Sequence, residues 1–276
     1  MAEDNKFVNN IDMSNINQLA FVHPEAKIGK NVIIHAFAYI DKNVEIGDNC
    51  EIGPHVSIHS GSRIGNNNKF YDGCVIAAVP QDFRWKGEES NVIIGDNNVI
   101  REYVIINRSI HKGKSTRIGN DTFIMAQSHI AHDTTIGNFV VIGNSVKIAG
   151  NCKIGDYCVL SSSVLVHERC EIGEWVLIKG GCRVNGHVPP YVIMAHNPIS
   201  YFGVNAYILR KGKFSESLID DIAKCYRHIY QSNTSAFNAM VRIKQDVPSG
   251  AERDAIVNFV EGHDYKIAAL VIDSNI

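Results

Sequence analysis

Residues 136–155 read IGNFVVIGNSVKIAGNCKIG, with isoleucine at 136, 142, 148 and 154. A six-residue period belongs neither to one helix nor to one strand, so it marks a repeat, and a repeat is read before anything else. Followed outward, the phase holds from Ile28 through Ile34, Ile40, Ile46 and onward to Val184. Ile, Leu or Val fills every in-phase position but Phe70, Asp82, Glu88 and Lys112. Four residues after each aliphatic stands a small or branched one, such as Val140, Val146 and Cys152. That is two before the next aliphatic, so the pair shares one face of a short strand. Between them lie Gly, Asn and Asp, which tolerate left-handed backbone angles and close tight turns.

Strand, corner, strand, with one stripe always inward, describes a parallel β-helix of hexapeptides. Three sides to a coil give about eighteen residues per turn, hence about nine coils and a prism about 40 Å tall. Spacing does not fix the hand: general rules favour right-handed crossovers.

The 276 residues suffice for one large domain with an appendage, and a hydrophobic fraction of 45% supports a continuous core. A net charge of −2 argues against chain-wide binding to nucleic acid or to an acidic membrane. The start, MAEDNKFVNN, lacks the basic region and apolar run of a signal peptide. IAALVI at 267–272 is too short to span a bilayer, so no membrane insertion and a cytoplasmic location are expected. Six of the seven cysteines are spaced by multiples of six, the phase of the repeat. They read as small core hydrophobes suited to a reducing compartment. No CxxC pair suggests zinc.

The period lapses over AVPQDFRWKGEESN (78–91) and NRSIHKGKST (107–116), and each lapse spans whole hexads, so the coil re-enters in register. Charged and aromatic side chains crowd both excursions, and loops thrown from a rigid scaffold commonly carry function. After VPPY at 188–191 the period ends and helical patterns follow, the last opened by Ser249 and Glu252 in capping-box spacing. The expected organisation is an all-β parallel β-helix over 1–190 and a small α-helical domain over 191–276.

One stretch has no scaffold role. SHIAHD, residues 128–133, places His129 beside the inward Ile130 and His132 with Asp133 at the next corner. Both histidines should therefore project outside the prism. Residues three apart on a strand face opposite ways and no third ligand is in sight, so no metal is expected. Residues eighteen apart stack one rung above another, which sets His132 beneath Gly150. A histidine base takes a proton from an attacking hydroxyl, a backbone N–H stabilises an oxyanion, and Asp133 can orient the ring. No serine or cysteine nucleophile is comparably placed, so direct acyl transfer is the simplest chemistry. His167, two rungs above Ala131, could line the same groove.

With HIAHD, PQD at 80–82, IREYVIINR, VPPYVI and FGVN, nearly the whole chain resembles the UDP-N-acetylglucosamine O-acyltransferases that take their chain from acyl carrier protein and begin lipid A synthesis. The resemblance implies a left-handed coil and a homotrimer with sites between subunits. It implies transfer of a 3-hydroxyacyl chain to the sugar 3-hydroxyl without cofactor or metal. It makes His132 the general base, Asp133 its partner and Gly150 the amide donor. Gln81, Asp82, Arg84, His129 and His167 match sugar or acyl contacts, Asn197 a substrate contact, and Asn205, Arg210 and Lys211 the nucleotide end. Gly180 falls where the family sets acyl length, and glycine there implies a long chain. Arg210, Lys211, Lys213, Lys224 and Arg227 are candidates for docking the acidic carrier protein.

The chain departs from the family pattern at Asn107 and Asn151, where histidines are common, at Gly212, where a second basic residue is expected, and at Pro198. Two rivals share the prism. Sugar N-acyltransferases carry an added N-terminal uridine-binding domain, for which the early onset of the repeat leaves no room. Coenzyme A-dependent acetyltransferases usually lack this helical tail and motif set. A structural scaffold would need neither SHIAHD nor the charged excursions.

Overall fold

The computed structural model describes residues 15–232 and 234–269. MAEDNKFVNN and the part of IAALVI beyond residue 269 lie outside the described residues. Short parallel strands stack into three flat faces. Face I starts with Phe21–Val22, face II with Lys27–Ile28 and face III with Ile33–Ile34, and the chain visits them in that order on every coil. Among the described residues face I has nine strands, face II eight and face III ten.

Register follows the hexad. Ile28 pairs with Ile46, Ile34 with Ile52 and Ile40 with Ile58, so identical side chains stack rung on rung. Where the excursions intervene, Ile64 pairs with Ile94 and Ile94 with Ile118, and the rung is kept across the extra residues. The in-phase aliphatics and the small residues two before them are buried as one core. All seven cysteines are free and buried, and desolvation pushes the Cys74, Cys152 and Cys158 thiols up to about 12.

The corners turn within the expected Gly, Asn and Asp stretches, with the roles divided among them. The glycine following an isoleucine is not the left-handed residue. At Gly47, Gly65 and Gly95 a Cβ would lie within 2.8 Å of atoms of the next coil, so glycine is there for close approach. The left-handed turn falls two residues later, on Asn31, Asn49, Asn67 and Asn97, and higher up on Phe139, Tyr157 and Trp175. Such a backbone costs about 1–2 kcal/mol at a non-glycine residue, and stacking offsets it. Asn31 donates to Asn49 and Asn67 to Asn97, each at 3.0 Å. Above them the rings of Phe139 and Tyr157 stack at 4.9 Å, and Tyr157 and Trp175 at 4.0 Å. This ladder runs up the edge between faces II and III. Both excursions leave from the edge between faces I and II instead.

Two strands follow residue 190. Val192–Ala195 extends face III in parallel and Ser200–Val204 pairs back antiparallel. Among the described residues four helices follow: α1 (Ala206–Lys211), α2 (Glu216–Tyr230), α3 (Ala236–Asp246) and α4 (Ala251–Gly262). Ser215 and Ser235 cap α2 and α3 by accepting from Leu218 N–H and Asn238 N–H. The Ser249 capping box does not form. The N-cap of α4 is the extended Gly250, which leaves Ser249 one residue outside the helix and shifts Glu252 out of the reciprocal position. The tail folds back onto the prism, where Tyr226 Oη donates to the Pro190 carbonyl and Ala268 N–H to that of His187. No described helix is long and apolar enough to cross a membrane.

Candidate active site

The SHIAHD stretch lies on the I/II edge. Ile130 points into the core and is fully buried, while His129 stands outward on face I. Ala131, His132 and Asp133 turn the corner, with Asp133 taking the left-handed backbone at φ 59° and donating its N–H to Thr116 Oγ1. His132 is outside the barrel interior, as the phase requires, but it does not project into solvent: the residue is only 6% exposed. The cover comes from the first excursion, which folds back so that Asp82 Oδ2 stands 3.2 Å from His132 Nε2.

On its other side the ring is gripped by the second excursion, indirectly. His132 Nδ1 lies 2.9 Å from Asp133 Oδ2. Ser109 Oγ donates to Asp133 Oδ1, and Ile110 N–H donates to Oδ2 at 3.1 Å. Burial by itself would raise the Asp133 carboxyl, but the hydrogen bonds from Ser109, His132 and Ile110 outweigh it and hold the group below its ordinary range. An ionised Asp133 then holds the ring with Nδ1–H toward it and Nε2 toward the groove.

Above the ring sits Gly150. A Cβ there would be 2.5 Å from His132 Nε2, so only glycine lets backbone and imidazole touch. On the II/III edge the equivalent corner N–H groups are taken by ladder side chains, as when Asp48 N–H donates to Asn66 Oδ1. Gly150 N–H makes no hydrogen bond among the described residues, although Asn151 N–H reaches the His132 carbonyl at 3.0 Å. A ring nitrogen and an unused amide donor thus face one groove.

That groove has a volume of about 530 Å³ and is lined by Gln81, Asp82, His129, His132, Gly150 and His167 from the expected set, and by Asn107, Lys147, Leu165 and Glu168 besides. His129 Nε2 meets Asn107 Oδ1 at 2.6 Å, and burial first, then the nearby Lys147 and His132, lower its pKa. Asp82 is held well below the usual carboxylate range by hydrogen bonds from Arg84. Arg84 bridges onward to Glu168 Oε1 at 2.9 Å, clamping the first excursion against the prism. Since His129 Nε2 faces Asn107 and His132 Nε2 faces Asp82, the two imidazoles do not converge on one point. Among the described residues no cluster of His, Cys, Asp and Glu could hold a metal ion.

Five expected residues lie elsewhere on the chain. Gly180 turns the III/I corner, on the far side of face I. Asn197 is exposed in the turn before Ser200–Val204. Asn205 is buried and donates from Nδ2 to the Trp175 carbonyl at 2.9 Å, pinning α1 to the II/III edge. Arg210 pairs with Glu216 at 2.7 Å, and Lys211 lies beside the Trp175 end of the aromatic ladder. Sequence reasoning passed over Ser109 and Glu168. For Glu168 the signal existed, since it follows Gly150 by one eighteen-residue coil. For Ser109 there was none, because an aperiodic segment gives no register.

The comparisons with known proteins agree with one another. A family model described as UDP N-acetylglucosamine O-acyltransferase, domain 2, matches residues 187–267, and a bacterial transferase hexapeptide model matches 25–60, 43–78, 115–150 and 133–168. An acyl-(acyl-carrier-protein)–UDP-N-acetylglucosamine O-acyltransferase of Syntrophobacter fumaroxidans is 36% identical over 247 residues, covering 89% of this chain and 96% of that protein. That of Trichlorobacter lovleyi is 42% identical over 250 residues, covering 89% and 96%. The crystal structure of a UDP-N-acetylglucosamine acyltransferase from Bacteroides fragilis superposes with a TM-score of 0.89 at 46% identity, covering 93% of this chain and 99% of that one. The coil is left-handed, as the resemblance implied.

Proposed function

The chain belongs to the acyl-(acyl-carrier-protein)–UDP-N-acetylglucosamine O-acyltransferase family and is an acyltransferase, and we propose that it moves a long 3-hydroxyacyl chain from acyl carrier protein to the 3-hydroxyl of UDP-N-acetylglucosamine, the first step of lipid A synthesis. The observation that carries this reading is His132 Nε2 facing a groove beside the unused Gly150 N–H, with Nδ1 held by Asp133.

In this reading the sugar hydroxyl takes the place of the Asp82 contact at Nε2 and gives its proton to His132. Its oxygen attacks the thioester carbonyl, and the tetrahedral oxyanion is met by Gly150 N–H. Collapse breaks the carbon–sulfur bond, and the imidazolium returns its proton to the leaving thiolate. No acyl group rests on the protein. General-base action contributes about 10²–10⁴ in rate and one oxyanion donor about 10²–10³. Gly180 adds no side chain beyond face I, which favours a long acyl chain.

Asn205, Arg210 and Lys211 sit on a different edge from His132, so within one chain they do not reach the groove. The outward rows explain how they could serve. Face II shows Lys27, Glu45, Arg117, Lys153 and Glu171 outward, whereas face III, above Glu51 and Lys69, shows Val99, Phe123, Val141, Val159 and Leu177. An apolar outer face calls for a partner, and closed cyclic symmetry with three copies would bring the nucleotide end of one chain to the groove of the next.

The test is His132→Ala, assayed with UDP-N-acetylglucosamine and either acyl carrier protein or coenzyme A thioesters, with melting and oligomeric state followed in parallel. The expected result is an intact trimer whose turnover falls by about 10²–10⁴, with the wild type using the carrier-protein donor. Near-normal turnover, or transfer from coenzyme A alone, overturns the reading.

A further inference from the structure

Two histidines three residues apart line one groove, yet the groups facing their Nε2 atoms are different in kind. His132 meets a carboxylate, Asp82. His129 meets a carboxamide, Asn107, which is 1% exposed. The Asn107 amide has only one sensible orientation. Its Nδ2 lies 2.8 Å from the Val79 carbonyl and 3.4 Å from that of Ala78. Carbonyl oxygens only accept, so the amide nitrogen must be on that side. Reversal would set three oxygens against one another in a buried place. Oδ1 is therefore the atom 2.6 Å from His129 Nε2. As Oδ1 accepts only, Nε2 must carry the proton. A neutral imidazole protonated at Nε2 has its lone pair at Nδ1, and Nδ1 forms no hydrogen bond among the described residues.

We propose that Asn107 is a positioning residue that locks His129 as the Nε2–H form, so that the groove offers a ring acceptor, Nδ1, to a hydroxyl or amide N–H of a bound substrate. Burial lowers the His129 pKa and so disfavours the doubly protonated ring, which would have no acceptor. The assignment of donor recognition rests on the groove being the acyl-transfer site; the tautomer does not. Two donors are available in that chemistry, the 3-hydroxyl of the acyl chain and the hydroxyl or acetamido N–H groups of the sugar.

The direct measurement is ring 15N NMR on the full-length protein labelled at histidine, with the His129 signals identified by their loss in His129→Gln. Protonated Nε2 with bare Nδ1 at neutral pH is expected; the reverse overturns the lock whatever the enzyme does. Asn107→Leu should release the preference, populating both forms, and lower kcat/KM by about five- to tenfold, the scale of one hydrogen bond. Assays with 3-hydroxyacyl and unsubstituted acyl carrier proteins separate the donors. If Nδ1 receives the acyl hydroxyl, the preference for the hydroxylated donor shrinks in the variant. If it receives a sugar group, KM for the sugar nucleotide rises equally with both. A folded Asn107→Leu with unchanged kinetics overturns the recognition role. An active His132→Ala with the tautomer intact would instead refute the general-base reading and leave the lock standing.

Discussion

Gly150→Ala isolates the contact on which the proposed chemistry depends. The added Cβ would lie 2.4 Å from Cε1, 2.5 Å from Nε2 and 3.0 Å from Nδ1 of His132. Ordinary carbon contacts are about 3.5–4.0 Å, so the ring must retreat by about 1 Å. It is hydrogen-bonded at 2.9 Å to Asp133, with Asp82 Oδ2 standing 3.2 Å from Nε2, and such a shift takes the Asp133 contact out of hydrogen-bonding range. A displacement of that size costs about 10² in rate. Gly150 is not in the left-handed region, so alanine adds no backbone strain, and overpacking alone should cost about 1–3 kcal/mol. At about 3 °C per kcal/mol for a chain of this size, Tm should fall by about 3–9 °C. Steady-state kinetics with acyl carrier protein donors and a calorimetric melt read both effects. The decisive control is the double variant with His132→Ala. Removing the ring makes room for the Cβ, so the destabilisation from Gly150→Ala should largely vanish in that background, a coupling of about 1–3 kcal/mol. Strict additivity, or Gly150→Ala with more than a third of normal turnover, would show that ring and glycine do not touch as described.

The Asp133 carboxyl is lowered by its hydrogen bonds, so its ionised form adds stability above its ordinary value near 3.8, and that contribution is lost as pH falls through the lower folded value. The stability gap between wild type and Asp133→Asn in urea melts should therefore be present at neutral pH and narrow below about pH 4; a gap flat down to pH 3 contradicts it. Tyr157 stacks on two rings with a left-handed backbone at φ 59°. Tyr157→Val should destabilise more than Tyr157→Asn, since a β-branched residue resists that backbone; equal Tm values would remove the strain argument. Lys213 and Arg227 are exposed, and if they help dock the acidic carrier protein, Lys213→Glu with Arg227→Glu should raise KM for the acyl donor without altering Tm. An unchanged KM places docking elsewhere.

The prism was legible because its period is a translation. Once Ile130 is inward, His129 must be outward and Gly150 must lie one rung above His132, and both relations hold in the structure. The corners turn within the Gly, Asn and Asp stretches the sequence pointed to, with the left-handed residue on Asn49, Asn67 and Asn97, but sequence did not distinguish the residue that needs conformational freedom from the glycine that needs close approach. Sequence reasoning also mistook the cap of α4, where a one-residue shift to Gly250 undoes the box.

What the amino-acid order determined alone is the scaffold: the coil, its register, the edge bearing the excursions and the stacking of an imidazole under a glycine. Each of these is a local rule repeated. The burial of that imidazole was decided only in three dimensions. Residues 78–91 and 107–116 have no period, and their paths are set by contacts such as Asp82 to His132 and Arg84 to Glu168, between residues far apart in the chain. A hexad dictates the neighbour one coil away, but nothing local in an aperiodic loop fixes which distant side chain its carboxylate will meet.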